Sequence, residues 1–142
     1  MKLIDKIIDN IKVRKRLKLQ GKTSFIDSVN HALDGISYTV EKEKNFKKEI
    51  IMAIIVMIAG FYFKVSKIEW LILLLTISSV LGLELINTSI ERCVDLVTKD
   101  YKELAKNAKD VAAGAVLITS IFSIFIGIII FLPKILIMIG VR

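Results

Sequence analysis

The chain has 142 residues, 54% of them hydrophobic, and carries a formal net charge of +7. Its apolar residues gather into long runs, which excludes an ordinary soluble domain and points to an integral membrane protein. The lysines and arginines flank these runs instead of forming an aromatic-interleaved patch, so the expected partner of the charge is an anionic lipid surface and not nucleic acid.

From the N-terminus, residues 1–22 read as a basic amphipathic extension. Leu3, Ile4, Ile7, Ile8 and Ile11 recur at helical spacing between charges, the pattern of an interfacial helix and not of a cleavable secretory signal. A second surface helix is expected at about 24–42, capped by Ser24, with Phe25, Val29, Ala32, Leu33, Ile36 and Val40 as its apolar stripe. The sole histidine, His31, reads as a solvated residue on that helix. The domain over residues 23–142 is then expected to cross the membrane three times, at about 46–63, 68–97 and 107–132. The first span is short unless the Lys47, Lys48 and Glu49 stems snorkel, and the third carries a long uncharged run closed by Pro133. Trp70 reads as an interface anchor. Cys93, the single cysteine, reads as a packing residue and excludes an intramolecular disulfide. Basic residues crowd the N-terminal segment and the 98–106 hairpin, which the positive-inside rule places in the cytoplasm, with the 64–67 turn and the C-terminus outside.

Within the second span stand Glu84, Asn87, Glu91 and Asp95, at spacings of 3, 4 and 4 residues. On a helix these four share a stripe about 80° wide. Carboxylates at membrane depth are costly and by default mark a functional site. Glu84, between Leu83 and Leu85, is partly desolvated and suited to act as a general base. Glu91 lies two turns nearer the cytoplasm, where a carboxylate can hold a divalent cation. Lys109 and Asp110 return a cation and a carboxylate to the same level across the hairpin, and Glu43 and Glu49 reach it from the start of the first span. A base, carboxylates for Mg²⁺ and a lysine for phosphate are the parts of phosphoryl transfer to a lipid hydroxyl. The same stripe also allows cross-helix pairing, an ion or proton pathway, or a non-catalytic membrane scaffold, although residues 70–83 offer no continuous polar track. One three-span protomer has little room to enclose a site, so shared sites in a homo-oligomer are expected.

The run E-L-I-N-T-S-I-E-R-C-V-D from Glu84 to Asp95, followed by A-K-D at residues 108–110, closely resembles the signature of the small bacterial lipid kinases, the prokaryotic diacylglycerol kinase and undecaprenol kinase family. Gly35, Ile36, Glu43, Phe46 and Glu49 are in register upstream, and the resemblance covers about residues 24–135. It implies an all-α membrane protein, a homotrimeric helical bundle of protomers with three transmembrane helices and an N-terminal amphipathic surface helix, with sites shared between subunits. It implies transfer of the γ-phosphate of ATP to a membrane lipid hydroxyl with Mg²⁺ as cofactor. Glu84 then matches the catalytic base, Glu43 and Glu91 the Mg²⁺ ligands beside the nucleotide, and Asn87 a polar neighbour of the γ-phosphate. Lys109 and Asp110 match nucleotide contacts, Asp95, Asp100, Tyr101 and Lys102 extend that pocket, and Glu49 and Ala113 join Glu84 as contacts to the lipid. Lys47 and Ala113 stand where diacylglycerol-type members carry arginine and serine, and the 94–98 and 108–114 stretches look more like the undecaprenol-preferring branch. The expected lipid is therefore undecaprenol, giving undecaprenyl phosphate, with diacylglycerol as the alternative. The resemblance places the protein in the bacterial cytoplasmic membrane, with its N-terminus and active site cytoplasmic and its C-terminus outside. It requires no glycine-rich phosphate loop, because helix side chains form the family's cradle.

Overall fold

The structure is a computed structural model and describes residues 25–140. The expected interfacial extension at residues 1–22 and the Ser24 cap lie outside the described residues. Among the described residues there are four helices and no strand, as the all-α expectation requires: α1 (Phe25–Lys42), α2 (Lys44–Tyr62), α3 (Lys67–Val97) and α4 (Glu103–Met138). The chain divides into two compact units between Tyr38 and Thr39.

In the first unit, residues 25–38 of α1 carry Phe25, Val29, Leu33 and Ile36 at spacings that put them on one stripe, all exposed. Asp27 in the first turn opposes the positive end of the helix dipole, and His31 is exposed as expected.

In the second unit, α3 and α4 run antiparallel. Asp95 meets Lys109 at one end of the pair and Glu69 meets Lys134 at the other. Helix α2 packs against α3. The α2–α3 turn is over-determined by its sequence. Lys64 takes a left-handed conformation (φ 51°), and Ser66 forms a reciprocal capping box in which its hydroxyl accepts from the Glu69 N–H (3.3 Å) while the Glu69 carboxylate accepts from the Ser66 N–H (2.6 Å). Gly60 lets α2 approach the Trp70 ring: a Cβ there would stand 2.6 Å from the indole Cη2. Trp70 also packs on Phe61, with ring centroids 4.8 Å apart, so the residue expected as an interface anchor has a packing role in the structure. Beneath them Val65, Leu73 and Ile130 form a small core with Val56, Ile126 and Phe131.

Little else is buried within one chain. Leu71, Leu75, Phe122, Phe125 and Ile129 are all exposed, so the apolar faces of α3 and α4 are matched to surroundings outside the protomer. Among the described residues two helices, α3 with 31 residues and α4 with 36, are long and apolar enough to cross a membrane. At 1.5 Å per residue they extend about 46 and 54 Å, longer than a hydrocarbon core of about 30 Å. In α2 the apolar stretch begins only after Lys47, Lys48 and Glu49, and this helix falls short of that criterion.

Pro133 does not close the last helix. α4 continues through it to Met138, with the Ile139 N–H still bonded to the Ile135 carbonyl at 3.1 Å. The lost backbone bond is tolerated because apolar residues continue past it, while Phe131 packs on Phe63 and Lys134 pairs with Glu69. The same helix begins at Glu103, earlier than the expected 107, with an acidic residue where the dipole favours one.

Candidate functional site

The polar stripe of α3 grades from buried to half-exposed. Glu84, Asn87 and Thr88 are buried at 5%, 8% and 4% exposure, whereas Glu91 and Asp95 are intermediate. Asn87 Nδ2 donates to Glu91 Oε1 at 3.2 Å across one helical turn, which orients that carboxylate. The Asn87 Oδ1 is buried without a protein hydrogen-bond partner, and so is Glu49 Oε2 on α2. Buried polar atoms are normally satisfied, so both mark places where a ligand oxygen, water or cation completes the bonding.

Four carboxylates crowd this level. Glu84 lies within electrostatic range of Glu91 and Glu43, and Glu49 within range of Glu84. Among the described residues no three acidic, histidine or cysteine groups converge closely enough to cage a metal alone. A pair of hard carboxylate ligands with an unsatisfied amide oxygen nearby nevertheless fits Mg²⁺, which is commonly held by one or two carboxylates together with substrate phosphates. Glu43 occupies the N-cap position of α2 but does not cap its own helix; its carboxylate pairs with Arg92 of α3.

Beyond Asp95 the α3–α4 hairpin opens into a polar cleft of about 340 Å³. Asp95, Asp100, Tyr101, Lys102, Lys109 and Asp110 all line it, so the expected nucleotide residues of the hairpin share one cavity. Lys109 Nζ donates to Asp95 Oδ1 at 2.5 Å, and Lys106 pairs with Asp110 one turn along α4. The Asp100 N–H donates to Thr98 Oγ1 at 3.1 Å, which shapes the hairpin. Glu43, Asn87 and Glu91 do not line this cleft; they stand further along the bundle.

A second cleft of about 290 Å³ runs between α2, α3 and α4. Its wall is mostly apolar, with Ala53, Val56, Leu73 and Ile77 among its residues and Glu49 as its charged member. Thr76, Ser120 and Ser123 also line it, but Thr76 donates to the Ile72 carbonyl (2.7 Å) and Ser123 to the Ser120 carbonyl (2.8 Å), so their hydroxyls are turned back onto the helices. Glu49 thereby links an apolar groove to the buried Glu84. Ala113 is exposed on α4 and lines neither cleft. Neither Arg92 nor Thr88 stands out in the sequence. The available signal was an arginine directly after Glu91, at the end of an apolar helix, where a cation needs a partner.

The model of the prokaryotic diacylglycerol kinase family matches residues 30–131. The chain belongs to the prokaryotic diacylglycerol kinase family. It is 47% identical over 110 residues to the undecaprenol kinase of Bacillus subtilis, covering 78% of this chain and 89% of that one. It is 38% identical over 118 residues to a diacylglycerol kinase of Synechocystis, covering 82% and 67% of the two chains. A diacylglycerol kinase of Helicobacter pylori is 33% identical over 109 residues, covering 77% and 85%. These relatives are kinases, phosphotransferases with an alcohol group as acceptor, and the matched segment of this prokaryotic diacylglycerol kinase family member contains most of α1, all of α2 and α3, and α4 as far as Phe131.

Proposed function

We propose that the protein is an ATP- and Mg²⁺-dependent lipid kinase whose acceptor is the hydroxyl of undecaprenol. The observation that carries this reading is the buried Glu84, placed within electrostatic range of Glu43, Glu49 and Glu91, of which Glu49 lines the apolar cleft, while Asp95 on the same helix stripe lines the polar one. The polar cleft takes the nucleotide, with Lys109 meeting phosphate, and the apolar cleft takes the lipid chain, with Glu49 at its charged wall. Glu84 removes the proton of the lipid hydroxyl as that oxygen attacks the γ-phosphorus; the bond from γ-phosphorus to the bridging oxygen breaks and ADP leaves with the electron pair. Glu43 and Glu91 would hold Mg²⁺, which would supply charge neutralisation of the phosphate oxygens. Asn87 holds Glu91 in place and offers its free carbonyl oxygen toward the same region.

Undecaprenol is preferred because the 47% identical relative is named for it and extends over 89% of its own length in the match. The diacylglycerol kinases at 38% and 33% identity support diacylglycerol as the second reading. The protomer then spans the cytoplasmic membrane three times, with α2 as the first span, N-terminus and site cytoplasmic and C-terminus outside, and three protomers form a homotrimer whose sites are shared. The lysine-rich residues 1–22 hold the anionic leaflet, and a chain starting at Ser24 is expected to bind anionic vesicles more weakly, with the difference vanishing at high salt.

The test is transfer of labelled phosphate from ATP by the purified protein in mixed micelles, offering undecaprenol and diacylglycerol separately, with and without Mg²⁺. Label in the undecaprenol lane that depends on Mg²⁺ is expected. Label in the diacylglycerol lane alone reassigns the substrate, and a folded oligomer that labels neither lipid overturns the kinase reading for this chain.

A further inference from the structure

We propose that Arg92 is a latch on the Glu43 carboxylate, holding it in the cation-free protein and yielding it when the Mg²⁺–nucleotide complex binds, after which the guanidinium neutralises nucleotide phosphate. The proposal rests on the reading of Glu43 as a Mg²⁺ ligand.

Three observations carry it. The N-cap position of α2 gives Glu43 an extended backbone (φ −102°, ψ 115°), yet its side chain makes no capping bond and pairs instead with a residue 49 positions away on another helix. The contact is therefore set by the packing of the two helices and not by local preference. Second, the Glu43 side chain is 22% exposed and that of Arg92 44%, so the carboxylate is set into the bundle and the cation reaches it from the more open side. Of the two partners, Arg92 has the room to leave. Third, Arg92 follows Glu91 in sequence and lies within electrostatic range of Asp95, the residue that holds Lys109 on the polar cleft. It stands between the carboxylates and the nucleotide pocket.

The physics then orders the two states. Without a cation, Glu43 and Glu91 each repel Glu84, and Arg92 on Glu43 offsets part of that repulsion. A part-exposed ion pair is weak, so a divalent ion shared by two carboxylates and the phosphates displaces it. The released guanidinium presents a planar fork of donors suited to phosphate oxygens, which a lysine does not reproduce. Arg92 is in this account a positioning residue for the carboxylate before binding and a phosphate partner afterwards.

Two titrations on the full-length protein in detergent test it. Mn²⁺ alone, followed by its paramagnetic resonance signal, reports the cation site without nucleotide; a non-hydrolysable ATP analogue with Mg²⁺ reports the loaded state. Arg92→Ala is expected to bind Mn²⁺ about threefold more tightly, the scale set by a part-exposed ion pair, and the analogue about tenfold more weakly. Arg92→Lys keeps the charge and loses the fork, so its Mn²⁺ affinity stays near wild type while analogue binding falls between the two. Opposite signs are the signature, because damage to the fold weakens both. Weaker or unchanged Mn²⁺ binding in Arg92→Ala, with Glu43→Gln still lowering it, overturns the latch and leaves the metal assignment standing. Unchanged Mn²⁺ binding in Glu43→Gln overturns the assignment of Glu43 as ligand, and the latch with it.

Discussion

Two ion pairs join α3 to α4, one at each end of the helix pair, and their surroundings are opposite in character. Glu69–Lys134, at 2.9 Å, has both side chains about one quarter exposed and belongs to a packed and capped corner: the Ser66 capping box, the Gly60–Trp70 contact and the Val65–Leu73–Ile130 core all converge there. Asp95–Lys109, at 2.5 Å, is more open at 42% and 36% exposure and lines a cleft with five further charged residues. The first pair is one of several constraints on the same turn. The second joins groups that have few other constraints and that a ligand can rearrange. On the proposed reading, the first ion pair acts as a staple within the packing that surrounds it and the second as a reserve of nucleotide-binding groups.

The division is broken most severely at Glu84. Glu84→Gln removes the proposed base while keeping the size of the side chain, and turnover is expected to fall about 10²–10⁴-fold with nucleotide affinity within about twofold of wild type. Single-turnover transfer alongside equilibrium nucleotide binding checks it. At the opposite corner, Gly60→Ala drives a methyl group into the Trp70 ring and is expected to destabilise the fold by about 1–3 kcal/mol, read by denaturation in mild detergent, with activity at low temperature retained. Ser66→Ala removes half of the capping box and is expected to cost about 1 kcal/mol by the same measurement, again without a change in the affinity for nucleotide.

The α3 stripe was legible because one regular helix carries all four residues, and a fixed angle per residue places Glu84, Asn87, Glu91 and Asp95 without knowledge of any partner. In the hairpin, the return of Lys109 and Asp110 to the level of Asp95 was legible because the turn is short, whereas Asp100 and Lys102 were reached only through the family resemblance; all five line one cleft. The Arg92–Glu43 pair was not legible. It depends on how α2 is set against α3, and nothing local to either residue selects the other. The apolar groove beside Glu49 was hidden likewise, since three helices contribute to it. Pro133 was misread because proline stops helices in water, whereas here an apolar run continues beyond it and tertiary contacts hold the last turns. Gly60 went unremarked, because its role is defined entirely by a ring that arrives from the next helix.

The comparison of the two ends is tested most directly by replacing the lysine of each pair. Lys109→Met and Lys134→Met remove the same charge from the same helix, and each is measured for phosphate transfer to lipid and for melting temperature. Lys109→Met is expected to lower transfer about 10²–10³-fold, the loss typical of one charge-stabilising donor, with little change in melting. Lys134→Met is expected to lower the melting temperature while transfer below it stays within about twofold of wild type. Equal losses of activity in the two variants, or a melting loss confined to Lys109→Met, would contradict the assignment of binding to one end and support to the other.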